Sequence, residues 1–129
     1  MAQVKIYGID HHLAEVRTVL SEAIHMAVME ALAYPEEKRF HRFFPMNSQD
    51  FIYPSDRSER YIIVEISMFE GRSAVTKRKL IRLLFERIAQ HAYIEPNDVE
   101  ITIYETPKHH WGIRGLPGDE LTLGYKVDV

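Results

Sequence analysis

Apolar positions along this chain change period in a repeating order. Residues 4–9, VKIYGI, alternate as a short strand does, with one face apolar. Asp10 then stands where a helix cap is expected. Leu13, Val16, Leu20, Ile24, Ala27, Val28 and Ala31 follow at spacings of three and four, predicting a long helix that Pro35 stops. Residues 38–44, KRFHRFF, read as a second strand. After a loop with Pro45 and Pro54 the order starts again. RYIIVEISMF (60–69) is β-branched and strand-like. Ser73 can cap a helix whose apolar face is Ile81, Leu84, Phe85, Ile88 and Ala92. Pro96 stops that helix, and DVEITIYE (98–105) is the fourth strand.

The halves align at a single shift of 61, which pairs Leu20 with Ile81, Ala27 with Ile88, and Pro35 with Pro96. Each strand–helix–strand unit is expected to close as a right-handed crossover with parallel strands. The expected fold is therefore α+β: two βαβ units sharing a four-stranded mixed sheet, with both helices on one face. One domain spans residues 1–129, with repeats at 1–58 and 59–116 and a tail at 117–129. No third helix remains to cover the other sheet face. A homo-oligomer with a sheet-lined interior is expected to bury it; the alternative is a monomer whose tail folds across it.

Composition narrows the partners. A net charge of −3 gives no general attraction to nucleic acid or anionic membranes. Lys77, Arg78, Lys79 and Arg82 read as a solvated helix face. With no cysteine there is no disulfide, thiolate site or Cys nucleophile. No apolar run is long enough for a membrane helix and no signal pattern opens the chain, so a cytoplasmic location is expected. The seven histidines include adjacent pairs at His11–His12 and His109–His110, which chelate poorly, and no HExxH helix occurs. No metal or other cofactor is expected. GLPGDE (115–120) reads as a turn and lacks the Gly-Lys-Ser/Thr of a phosphate loop.

Two spaced motifs in the second half add a resemblance. EISMFEGRSAVTKRKLI (65–81) has a strand, a Gly-Arg-Ser turn and a helix. VEITIYETPKHHWGIRG (99–115) has a strand and then an aromatic-Gly-Ile-x-Gly segment holding the chain's one tryptophan. Together they resemble the tautomerase superfamily, the group that includes 4-oxalocrotonate tautomerase and malonate semialdehyde decarboxylase, in its fused two-repeat branch.

The resemblance implies a homotrimer and a crevice for a small keto or enol carboxylic acid. It makes Arg72 the carboxylate-binding arginine and Trp111 a crevice wall, with His110 beside it. Superfamily catalysis uses an N-terminal proline whose amine is neutral near pH 7 and acts as a general base. This chain opens Met1-Ala2, and its first proline is Pro35. The catalytic candidates are thus the N-terminal amine of Ala2 or Met1, with Arg72. At the shift of 61 the amine's position falls on Met1, and an amine at Ala2 would be one strand residue out of register. Where single-repeat relatives carry a strand arginine, the second repeat has Glu100 and the same shift points to Arg39 as a substrate contact. Glu36 and Glu37 have no assigned role. Two functions are open: weak, proline-independent proton transfer, or a non-catalytic ligand-binding or scaffold role on the same fold. A ferredoxin-like regulatory module would share the strand order and form a dimer.

Overall fold

The computed structural model describes residues 1–129. The main elements are β1 (Ala2–Ile9), α1 (Asp10–Leu32), β2 (His41–Met46), β3 (Ile62–Phe69), α2 (Ala74–Ala92) and β4 (Val99–Thr106). A short hairpin follows, β5 (Gly112–Ile113) with β6 (Leu116–Pro117). The sheet runs β2-β1-β3-β4, with β1 parallel to β2, β3 parallel to β4, and the central pair antiparallel. Two βαβ units therefore meet head to tail. Ala2, Val4 and Ile6 of β1 join Ile62, Val64, Ile66 and Met68 of β3 under both helices, as period-two alternation requires. None of the helices is long and apolar enough to cross a membrane.

The helices form for different local reasons at their two ends. Ser73 caps α2, its side chain accepting from Thr76 N–H. α1 has no such cap: its boundary residue is Ile9, and Asp10 lies inside the helix, where it accepts only from His11 N–H. Both helices stop before their prolines, at Ala33 and Tyr93 in the left-handed conformation (φ 50° and 56°). β2 begins three residues later than expected and runs on through Pro45, which an edge strand tolerates.

The repeat shift is 60, not 61. β1 and β3 start at 2 and 62, and both show the same alternation of buried and half-buried residues. Val4 pairs with His41 as Val64 pairs with Ile101, and the two left-handed residues, 33 and 93, obey the same shift. The buried ridge of α2 is Leu80, Leu84, Ile88 and Ala92, answering to Leu20, Ile24, Val28 and Leu32 of α1; Ile81 and Phe85 only flank it. The prolines mislead because each must only lie outside its helix, which does not fix its distance from the end.

The sheet face away from the helices carries Gln3, Lys5, Tyr7, Ile63, Glu65 and Ser67, all half-buried. It is more polar than strand periodicity alone implies, with Tyr7 stacked on Phe44 and Tyr104 hydrogen-bonded to Glu65. The tail does not cross this face. It packs at one end, where Met1, Phe69 and Val127 form a small cluster with Trp111, Ile113, Leu123 and Tyr125 around it.

Candidate active site at the amino terminus

The end of β3 turns sharply into α2. Gly71 has φ +133°, a conformation costly for any side chain, and a Cβ there would stand 3.1 Å from Val127 Cγ1. The turn delivers Arg72 inward, and only 4% of it is exposed. One guanidinium nitrogen, Nη1, donates to Phe69 O at 3.3 Å. Nε and Nη2 are buried with no partner. A cation so placed is short of hydrogen-bond acceptors and of countercharge. Burial lowers its pKa below arginine's usual value, opposed by Tyr125, Tyr34 and Glu105, and it remains cationic at neutral pH.

The N-terminal amine lies in the same electrostatic field. Its pKa falls from 8.0 to about 5, first through burial, then through the positive charges of Arg72, Lys108 and Lys38. It is therefore neutral at pH 7. Two phenols from distant parts of the chain hold this end. The Met1 amine donates to the Tyr125 hydroxyl, and Ala2 N–H donates to Tyr34 Oη at 3.1 Å. The two rings meet edge to face, 4.9 Å apart. Burial raises both phenol pKa values, so both stay protonated.

Phe69 joins these parts to Trp111. Its N–H donates to Met1 O, its carbonyl accepts from Arg72, and its ring meets the indole edge-on at 5.2 Å. Trp111 Nε1 donates to Thr106 Oγ1 at 2.7 Å, fixing the indole plane. His110 is exposed and lines, with Trp111, His109 and Ile113, a shallow cleft of about 430 Å³. Arg39 is exposed in another cleft, beside Arg17, Ser21 and His41. At the shift of 60 the residue answering to Glu100 is Phe40, so the register argument for Arg39 does not hold. The position answering to Ile62 is Ala2, not Met1, and an amine on Ala2 would be in register. Glu36 and Glu37 are exposed.

Sequence reasoning missed Tyr34 and Tyr125. Tyr34 follows the left-handed residue that ends α1, a place where a core side chain can be expected. Nothing local marks Tyr125.

A family model described as tautomerase enzyme matches residues 38–114, more than half of the chain. The chain belongs to the tautomerase family. Among curated relatives, this tautomerase-family chain is 36% identical over 59 residues to a 2-hydroxymuconate tautomerase of Pseudomonas putida, a match covering 46% of the chain and 94% of that protein. A probable tautomerase of Halalkalibacterium halodurans is 32% identical over 53 residues, 41% of the chain and 87% of the relative. Among solved structures, a malonate semialdehyde decarboxylase superposes with a TM-score of 0.80 at 19% identity, over 92% of this chain and 99% of that one. A native fused 4-OT gives 0.80 at 18% identity, over 92% and 98%. A malonate semialdehyde decarboxylase inhibited by 3-bromopropiolate gives 0.77 at 26% identity, over 85% and 87%. The likenesses at 18% and 19% identity establish the tautomerase fold.

Proposed function

We propose that the amino-terminal site binds a small keto or enol carboxylate and moves a proton between its oxygen and carbon, without a proline. The observation that carries this reading is the buried Arg72, whose unpartnered Nε and Nη2 form one edge of a guanidinium beside an amine kept neutral. That edge offers two parallel N–H donors, matched to the two oxygens of a carboxylate.

Loss of Met1 would leave the amine on Ala2, in register and within reach of Tyr34. An Ala2 amine kept neutral by the same burial and the same Arg72 charge that act on the Met1 amine would accept the enol hydroxyl proton and return it to carbon, with Arg72 holding the carboxylate and Trp111 walling off water. Structures with this fold include fused 4-OT proteins described as symmetric and asymmetric trimers, which supports a homotrimer here. A cytoplasmic location is part of the same reading.

The decisive experiment combines intact-mass analysis with turnover of 2-hydroxymuconate and phenylenolpyruvate. Protein starting at Ala2 is expected to ketonise at least one of them. Arg72→Ala should lower kcat/KM by about 100-fold or more, the loss of a paired charge-assisted contact. Absence of turnover by Ala2-started protein on any enol acid sinks the proposal, as does unchanged kinetics in Arg72→Ala.

A second reading rests on the side chain of Met1, which fills the space against Phe69 and Val127. With Met1 retained, the site is plugged by its own chain and the protein is a non-catalytic scaffold or ligand binder. Retained Met1 together with no borohydride-trapped adduct to a keto acid would favour it.

A further inference from the structure

The two repeats provide an internal control. The same backbone occurs twice, so a residue the fold needs in one copy has a counterpart with the same task in the other. Along the seam between helix and outer strand, repeat two is closed by half-buried Ile81, Ile101 and Ile103 and by buried Val99. Its one cation there, Lys77, is paired with Glu105 at 2.6 Å.

Repeat one keeps an apolar residue opposite Ile103 and a cation opposite Lys77, and departs at the other four positions. Ile81 is answered by Ser21, Val99 by Arg39, Ile101 by His41, and Ile103 by Phe43. Lys77 is answered by Arg17, and its partner Glu105 by Pro45. The seam opens into a cleft of about 370 Å³ lined by Arg17, Thr18, Ser21, Arg39, His41 and Phe43, with no carboxylate among them. Neither arginine makes a salt bridge or a side-chain hydrogen bond, although Arg57, Arg87 and Lys77 all have acidic partners. Both arginines are exposed and unpaired. The twin of Arg39 is buried Val99 and the twins of Ser21 and His41 are isoleucines, so the fold closes that part of the seam without polar groups, while Arg17 keeps the cation of Lys77 and lacks its carboxylate partner.

The histidine is also prepared as a neutral donor. Ser21 Oγ lies 2.8 Å from His41 Nδ1, and His25, which donates to Glu36 O at 2.7 Å, meets the His41 ring edge-on. Burial, then His25, then Arg39, hold the His41 pKa down at about 4. With Nδ1 accepting the serine hydroxyl, the ring's other nitrogen carries the hydrogen. Two exposed cations, the Thr18 hydroxyl and one ring N–H make a donor set with no acceptor of negative sign, the Ser21 hydroxyl being engaged with His41.

We propose that this cleft is a binding site for a small doubly charged oxyanion, held between Arg17 and Arg39 with the His41 ring as a donor oriented by Ser21. It lies on repeat one, and its ligand need not be the molecule bound at Arg72. The charge and the donor set suit a tetrahedral phosphate or a compact dicarboxylate, which the test separates.

Inorganic phosphate and malonate are titrated calorimetrically, in separate arms at constant ionic strength, into the native protein. At least one arm is expected to saturate with one site per chain, and the arm that saturates identifies the anion. Arg17→Ala and Arg39→Gln should each weaken that affinity about tenfold or more, the loss of a charge-assisted contact. The twin-matched variant Ser21→Ile/Arg39→Val/His41→Ile should abolish binding while keeping the native circular dichroism. Arg82→Ala, on the exposed face of α2, and Arg72→Ala should leave it unchanged. Saturation in neither arm overturns the proposal. So does equal weakening by Arg82→Ala, which would mean diffuse charge attraction, or loss in Arg72→Ala, which would assign the anion to the amino-terminal site. Because Arg72→Ala is expected to lower kcat/KM by about 100-fold or more and spare this binding, failure of either proposal leaves the other standing.

Discussion

At the residue scale, the amino-terminal site rests on a few side chains whose partners lie far away in sequence. Gly71 is the most constrained. Its positive φ and the proximity of Val127 mean that Gly71→Ala strains the backbone and pushes the tail away. The expected destabilisation is on the order of 1–3 kcal/mol, read by denaturant unfolding. Glu105 also belongs here, since one carboxylate oxygen binds Lys77 while Oε2 is buried without a partner. Arg72, Trp111 and the terminal amine are candidates through the resemblance, which two local patterns carry, a Gly-Arg-Ser turn and an aromatic-Gly segment; the structure brings the three to one end of the sheet around Phe69. Tyr34 and Tyr125 were not legible in the sequence, because a contact between residues 91 positions apart (34 and 125) leaves no mark in either local stretch.

At the element scale, helix periodicity gave both helices with their faces, and Ser73 marked one start correctly. Asp10 did not mark the other. The difference predicts unequal effects of cap removal: Ser73→Ala should cost about 1 kcal/mol, and Asp10→Ala clearly less, by thermal or denaturant unfolding. Equal losses would mean that Asp10 caps α1 in solution. The misjudged repeat shift has a physical origin too. Ile81 and Phe85 are apolar and flank the true ridge, so a helix face about one residue wide of its axis still scores as periodic. The strands settle it, because a shift by one would put Val64 and Ile66 on the wrong face of the sheet.

For the whole molecule, the buried amine links protonation to folding. Its folded pKa of about 5 is below the unfolded value of 8.0, so the unfolded chain binds more protons between these limits and stability rises with pH across that window. The amine carries the slope toward pH 8, and His41 (folded pKa about 4) and His12, lowered by burial and Arg60, add to it in the same direction from about pH 7.5 downward. Melting temperatures should therefore climb from pH 6.5 to 8, and an acetylated N-terminus should flatten the upper end of that segment. A flat profile in the unmodified protein would mean that the amine is solvated. Light scattering tests the proposed trimer, and a monomer would leave the open sheet face to water.

The polypeptide's two extremities converge on one turn: Met1 O accepts from Phe69, and Val129 O accepts from Ser73 at 2.9 Å. The first residue is therefore not a neutral attachment point. A purification handle or fluorescent fusion before residue 1 would turn the amine into an amide and so remove it as a base. A label spliced into the exposed turn at residues 54–56 would leave both ends undisturbed.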